Sequence, residues 1–257
     1  MGTGYFMHPN TASHFYTIMI PLLLYQYFAK KINFSKFLTI LILFVLGLLF
    51  TFSRAGYIGA SVSLLIIAYS KSKKFFFITI ILLVISIYLF ILDFIFAKSD
   101  SSISRVLLWA TAIDMIIRDG GHSLWGYGVS NALTIFQNEK IYFGSTEEVP
   151  DPHNVILLLA IQFGLLFVIS LILFLIVLFV KIYFIRHTDY FIENRTKIFL
   201  CLSITFGLIS QNMVENVLAY PEHFVLNIFF IFIGYLYNFI NNYEKNEFPR
   251  AALKSEG

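Results

Sequence analysis

Long apolar runs separated by short polar joints dominate the chain. A helix needs roughly 20 mostly apolar residues to cross a bilayer, or about 17 when the fit is tight. Five runs stand out as crossings: Phe37–Phe52, Phe75–Phe96, Val155–Val180, Ile198–Leu218 and Phe224–Ile240. Two are weaker: His14–Ala29 is short and interrupted by Pro21, and Ala55–Tyr69 is short but free of charge. Each must be helical, because lipid offers no partner to free N–H and C=O groups. The pattern predicts an all-α integral membrane protein with about seven transmembrane helices. They form a single transmembrane domain over residues 1–240, with one long loop at 97–153 between spans four and five. Residues 241–257 read as a polar, frayed tail.

Composition agrees. Of the 257 residues, 58% are apolar and only 13% charged, against about 25% charged in ordinary soluble domains. The single cysteine, Cys201, excludes an internal disulfide scaffold. A net charge of +3 without a basic cluster argues against nucleic-acid binding.

Sidedness follows from Lys and Arg, which favour the cytoplasmic loops. Lys30, Lys31 and Lys36 join spans one and two, and Lys71, Lys73 and Lys74 join three and four. Lys181, Arg186, Arg195 and Lys197 lie between five and six, and Lys245, Arg250 and Lys254 lie in the tail. The remaining five, Arg54, Lys98, Arg105, Arg118 and Lys140, all fall on the other side. The N-terminus and the 97–153 loop therefore face outward, and the C-terminus is cytoplasmic. Met1–Ser13 has neither the basic n-region nor the cleavage site of a secretory signal.

The outward face carries the residues of chemical interest. Arg54 stands in Ser53-Arg-Ala-Gly56, where two spans join with almost no loop. Ala55 and Gly56 open the next helix, whose N-terminus favours an anion, and Gly56 removes bulk where a ligand would approach. The plainer reading is an Arg that snorkels to the headgroups. Ser104–Arg118 reads as an interfacial helix, with Ser104, Thr111, Asp114 and Arg118 in one polar arc. Arg105 falls on the opposite, apolar side with Trp109, Ala112 and Ile116, and either snorkels or meets an anion in a cavity. Arg118 pairs with Asp114 and is a solvated charge.

Trp125-Gly-Tyr-Gly128 suggests a tight turn, but no strand precedes it and the third glycine of a dinucleotide fingerprint is absent. In Asp151-Pro-His-Asn154, Asp151 suits an N-cap and Pro152 the first helical position. His153 then sits in the first turn, where the helix dipole disfavours imidazolium and leaves a proton acceptor. A capping or interfacial role is the alternative. No His-x-x-x-His or Cys pair accompanies it, so no metal site is expected. Gln211, Asn212, Glu215 and Asn216 share one helix face in the outer third of span six. Buried polar groups there serve either function or helix–helix contact.

Taken in order, four pieces resemble the core of the O-antigen ligase and polysaccharide polymerase family of bacterial membrane glycosyltransferases. They are Gly4-Tyr-Phe-Met-His-Pro-Asn10, Ser53-Arg-Ala-Gly56, the stretch from Ser104-Arg105 through Trp109 to Gly126-x-Gly128, and His153-Asn154 followed by Gln162-Phe-Gly-Leu-Leu166. The resemblance runs from about Gly4 to Asn238. It implies the multi-span C-type architecture and a metal-independent glycosyltransferase, without cofactor, in the bacterial cytoplasmic membrane. The implied donor is an undecaprenyl-diphosphate-linked oligosaccharide on the outer face, and the acceptor is a glycan or lipid. By matching position, Arg54 and Arg105 hold the diphosphate and His153 is the outer-loop histidine, a general base or a phosphate ligand. Glu215 joins them as a substrate-binding candidate from its place in span six. Other polysaccharide-assembly membrane proteins are implied as partners.

The implied activity is polymerisation of repeat units, with ligation of a finished glycan to a lipid A core or a protein as the alternative within the class. Family members have about a dozen spans, so a fragment or a non-catalytic membrane scaffold is a further alternative. A transporter wants charges near the midplane on both half-paths, and only Glu215 comes close.

Overall fold

The computed structural model describes residues 9–71, 76–77, 80, 100–118, 120–142, 151–215, 218 and 224–255, and the regular structure among them is helical throughout. The helices are α1 (Pro9–Phe28), α2 (Phe34–Phe50), α3 (Arg54–Lys71), α4 (Asp100–Arg118), α5 (Gly120–Trp125), α6 (Val129–Tyr142), α7 (Val155–Phe184), α8 (Asp189–Asn212) and α9 (Phe224–Ser255). A 3-10 turn, Ile185–His187, joins α7 to α8. Apart from residues 76, 77 and 80, the expected crossing Phe75–Phe96 lies outside the described residues. Two described helical segments, Val155–His187 and Phe224–Lys245, are long and apolar enough to cross a membrane, and Phe34–Phe50 is a shorter apolar helix. Leu43 and Leu49 on α2 and Ile169, Leu173 and Val177 on α7 are exposed. Apolar side chains on the outside of a helix are what a lipid solvent favours.

Several boundaries differ from the expected ones for local reasons. Pro21 is accommodated inside α1. The expected crossing Ile198–Leu218 ends at Asn212, and the expected frayed tail continues α9 to Ser255. The largest departure is in α7, where Gly164 breaks the helix with φ 85° and ψ 167°.

The chain divides into two compact units: residues 1–81, 175–209 and 227–257 make one, and residues 82–174 and 210–226 the other. In the first, α1 packs on α2 and α3. Small and polar residues line its interior. Ser13, Thr17, Ser63, Ser203 and Thr205 are fully buried, as suits helices that associate by close approach and hydrogen bonds. Ser63 and Ser203 exchange bonds, each Oγ donating to the other's carbonyl at 3.0 and 2.9 Å. Arg195 donates to the Tyr69 carbonyl at 3.2 Å, and Lys181 pairs with Glu244 at 2.8 Å.

In the second unit α4 packs against α5 and α6. Leu108, Ala112 and Met115 of α4, Ala132 and Phe136 of α6 and Ile161 of α7 form its core. One face of α4 is therefore buried. Val106, Ile113 and Ile117 on its other side are exposed, an apolar outer face of the kind an interfacial helix turns to lipid.

Candidate active site

In the first unit, the site residues begin at the start of α3. Ser53 is its N-cap, with Oγ accepting the Gly56 N–H at 3.1 Å. Thr51 Oγ1 in turn accepts the Ser53 N–H at 3.2 Å. Ser13 of α1 completes the set, its hydroxyl hydrogen-bonded to Ser53 Oγ at 3.1 Å. Arg54 is thus the first helical residue, and it is half-buried. A cation at a helix N-terminus adds to the positive end of the dipole instead of cancelling it. Gly56, expected to leave space for a ligand, makes room for α1 instead: a Cβ there would meet the Ser13 side chain, with Ser13 Oγ at 2.7 Å.

In the second unit, Arg105 lies in α4, one turn before the buried Leu108, and its side chain is outside the described residues. The expected polar arc of this helix is corrected at Thr111, which is fully buried and bonds the Leu107 carbonyl at 2.9 Å. Arg118 reaches Glu139 of α6 at 2.8 Å, closer than Asp114 at 3.7 Å. The Glu139 bond holds the exposed guanidinium further above its ordinary pKa.

The turn after α5 has a structural task that its sequence alone does not reveal. Gly126 and Gly128 adopt φ 78° and 79°, a conformation open to glycine at little cost. They lay the turn against the break in α7. Tyr127 donates its N–H to the Ile161 carbonyl at 2.8 Å, and Gly128 donates to the Gln162 carbonyl at 3.0 Å. A broken membrane helix leaves carbonyls that must be satisfied within the protein, and this turn supplies the donors. His122 stacks on Tyr127 with ring centroids 4.7 Å apart.

His153 precedes the broken helix. The N-cap is Asn154, not Asp151: Asn154 Oδ1 accepts the N–H groups of Ile156 and Leu157 at 3.0 and 3.1 Å. Asn154 Nδ2 also donates to the Met213 carbonyl at 2.8 Å, which fixes the cap to the segment after α8. His153 is consequently outside the helix, in the left-handed region at φ 48°. That conformation costs a residue other than glycine about 1–2 kcal/mol. The bond from its N–H to Asp151 Oδ1, 2.8 Å, supports it locally.

Glu215 also departs from its expected place. Because α8 ends at Asn212, Gln211, Asn212 and Glu215 do not share a helix face; Asn216 lies outside the described residues. Gln211 and Asn212 are fully buried, and Asn212 Oδ1 accepts the Leu218 N–H at 2.9 Å. The chain released after Asn212 brings Glu215 to His153, with Oε2 3.7 Å from Nδ1. Asp151 Oδ1 lies at the same distance from Nδ1. Both carboxylates are buried, while the imidazole keeps 21% of its side-chain surface. Among the described residues no group of three or more His, Cys, Asp or Glu is arranged to hold a metal ion.

The structure therefore joins His153 to Glu215, and places Arg54 in one unit and Arg105 in the other. Asn154, Gly164, Gly126 and Gly128 all stand in motifs legible in the sequence, but the capping role of Asn154, the break at Gly164 and the docking role of Gly126 and Gly128 do not follow from it.

A family model described as O-antigen ligase matches residues 39–172, just over half of the chain. The match covers Arg54, Arg105 and His153 and stops before Glu215. No curated protein and no solved structure matches the chain.

Proposed function

The chain belongs to the O-antigen ligase family, and we propose that it polymerises undecaprenyl-diphosphate-linked oligosaccharide repeat units on the outer face of the bacterial cytoplasmic membrane. In this reading about seven helices cross the bilayer, the 97–153 loop faces outward and the C-terminus is cytoplasmic. The one-sided distribution of Lys and Arg supports that orientation.

Departure of a lipid diphosphate requires stabilisation of the charge that develops on it. Arg54 and Arg105 provide this as guanidinium groups, whose planar fork matches phosphate geometry. Arg54 adds its charge to the positive end of α3. His153 acts at the acceptor hydroxyl as base, or on the diphosphate as a further donor. The observation that carries the proposal is the setting of His153. It is held out of α7 in a left-handed conformation and flanked by two buried carboxylates. Backbone cost of that kind concentrates at functional sites.

The experiment is a gel of product size. Membranes with the wild-type chain or its Arg54→Ala variant are incubated with host lipid-diphosphate-linked oligosaccharide. A ladder of repeats from wild type alone supports polymerisation and ties it to Arg54. A single shifted band supports ligation to a lipid or protein acceptor, the second reading, which the description of the matching family favours. No product with donor present overturns both.

A further inference from the structure

We infer that Glu215 is the positioning carboxylate of this site, holding His153 by Nδ1 so that Nε2 is the nitrogen that takes the acceptor's proton. The inference rests on the reading of His153 above and decides between its two roles.

The geometry distinguishes the two ring nitrogens. Nδ1 faces Glu215 Oε2 and Asp151 Oδ1, each at 3.7 Å. Asp151 Oδ1 already accepts the backbone N–H of His153 at 2.8 Å, so its first task is to hold the turn. Glu215 has only 5% of its side-chain surface exposed, and each hydrogen-bonding or cationic neighbour lowers the cost of burying a carboxylate. An N–H on Nδ1 is such a neighbour. The separation exceeds a hydrogen bond, but catalytic contacts are often loose before substrate binds and close in the reacting complex. Asn154 makes that approach short and directed. Its bond to the Met213 carbonyl ties the residue after His153 to the residue two before Glu215.

A carboxylate on Nδ1–H fixes the tautomer with a bare Nε2 and stabilises the imidazolium formed later. In the transfer step the acceptor hydroxyl gives its proton to Nε2 as its oxygen bonds the anomeric carbon. The bond from that carbon to the diphosphate oxygen breaks, and its electron pair leaves with undecaprenyl diphosphate. The proton remains on Nε2, with Glu215 facing the imidazolium from its Nδ1 side, until it is released to solvent.

The two roles of His153 predict opposite pH behaviour. A base works when neutral, so activity rises with pH through its titration. A phosphate donor works when charged, so activity falls. A nearby carboxylate favours imidazolium, so Glu215→Gln moves the titration to lower pH. Polymerisation rate is measured against pH in membranes carrying wild type, Glu215→Gln, Glu215→Asp or His153→Ala. Alongside, carbethoxylation of His153 by diethyl pyrocarbonate, which attacks neutral imidazole, is followed against pH by mass spectrometry in wild type and Glu215→Gln. This second readout needs no activity.

The expected wild-type rate rises with pH. Glu215→Gln lowers the rate by about tenfold or more and moves both the rising limb and the carbethoxylation midpoint to lower pH. Glu215→Asp restores part of the rate. An unchanged limb and midpoint in Glu215→Gln overturns the inference, as does a wild-type rate that falls with pH. Product from His153→Ala instead overturns the underlying reading of His153.

Discussion

Gly126 and Gly164 meet backbone to backbone: a Cβ on Gly126 would stand 2.6 Å from the Gly164 amide nitrogen, and one on Gly164 would stand 2.6 Å from the Trp125 carbonyl carbon. Neither neighbour is the flexible end of a side chain, so neither contact can be relieved by a rotamer change. Two stretches far apart in sequence are thus parts of one joint. It fixes the C-terminal end of the short segment Val155–Phe163, whose N-terminal end follows Asn154 and His153.

Alanine substitutions should rank accordingly. Gly128 also has positive φ, but nothing stands within 4 Å of a Cβ placed there. Gly128→Ala should therefore cost only the backbone term, about 1–2 kcal/mol. Gly126→Ala and Gly164→Ala add a clash with backbone and should reduce the yield of folded, monodisperse protein severely. Thermal melting of the three variants in detergent provides the measure. Equal losses at all three positions would show that the joint is not close-packed.

At the start of α3 the cap and the helix contact share one hydroxyl. Ser53→Ala removes the acceptor for the Gly56 N–H and the partner of Ser13 together. Loss of a serine N-cap costs about 1 kcal/mol, and Ser13→Ala removes the second contact together with the bond from Ser13 Oγ to the Asn10 carbonyl at 2.7 Å. A double-mutant cycle on melting temperature should show coupling between the two positions. Strict additivity would contradict the hydrogen bond between them.

How much of this was legible depends on the range of the interaction that decides each feature. α1, α2, α3 and α9 begin within five residues of the expected runs, because a long apolar run bounded by polar joints is a local signal. The break at Gly164 was hidden, since glycine within an apolar run has no periodic signature and the donors that permit it come from Tyr127 and Gly128. Asp151 and Asn154 are both competent N-caps by residue type. The choice falls to Asn154, whose side chain also reaches Met213, a tertiary contact no local pattern contains. Glu215 reads from the sequence as a buried acid. Its partner emerged only because α8 stops at Asn212, releasing the chain that carries Glu215 to His153.

Arg118 provides the contrast to the proposed binding arginines. It is exposed and already engaged by Glu139 at 2.8 Å, so its charge is spent on a surface pair of the kind that contributes little. Arg118→Ala should leave the product ladder unchanged at equal protein level, while Arg105→Ala, on the same helix, should abolish it. Loss of product in both, with normal membrane insertion, would mean that the outer helix as a whole matters and not Arg105 in particular.

Arg54→Lys separates the charge of Arg54 from its shape. If Arg54 only snorkels to headgroups, a lysine serves as well, because its unit charge on a long flexible stem suits that role. If it clamps a diphosphate, the ammonium keeps the charge but loses the paired donors of the guanidinium fork. The expected result is a rate between wild type and Arg54→Ala, reduced about tenfold or more, with Ser53 still capping α3 and the protein inserted normally. Charge-assisted hydrogen bonds contribute about 1.5–3 kcal/mol each, so loss of one is sufficient for that reduction. A titration with donor lipid then locates the loss. A higher KM at unchanged kcat places the second guanidinium bond in the bound donor, and a lower kcat places it on the departing diphosphate. Wild-type rates in Arg54→Lys would remove Arg54 from the clamp.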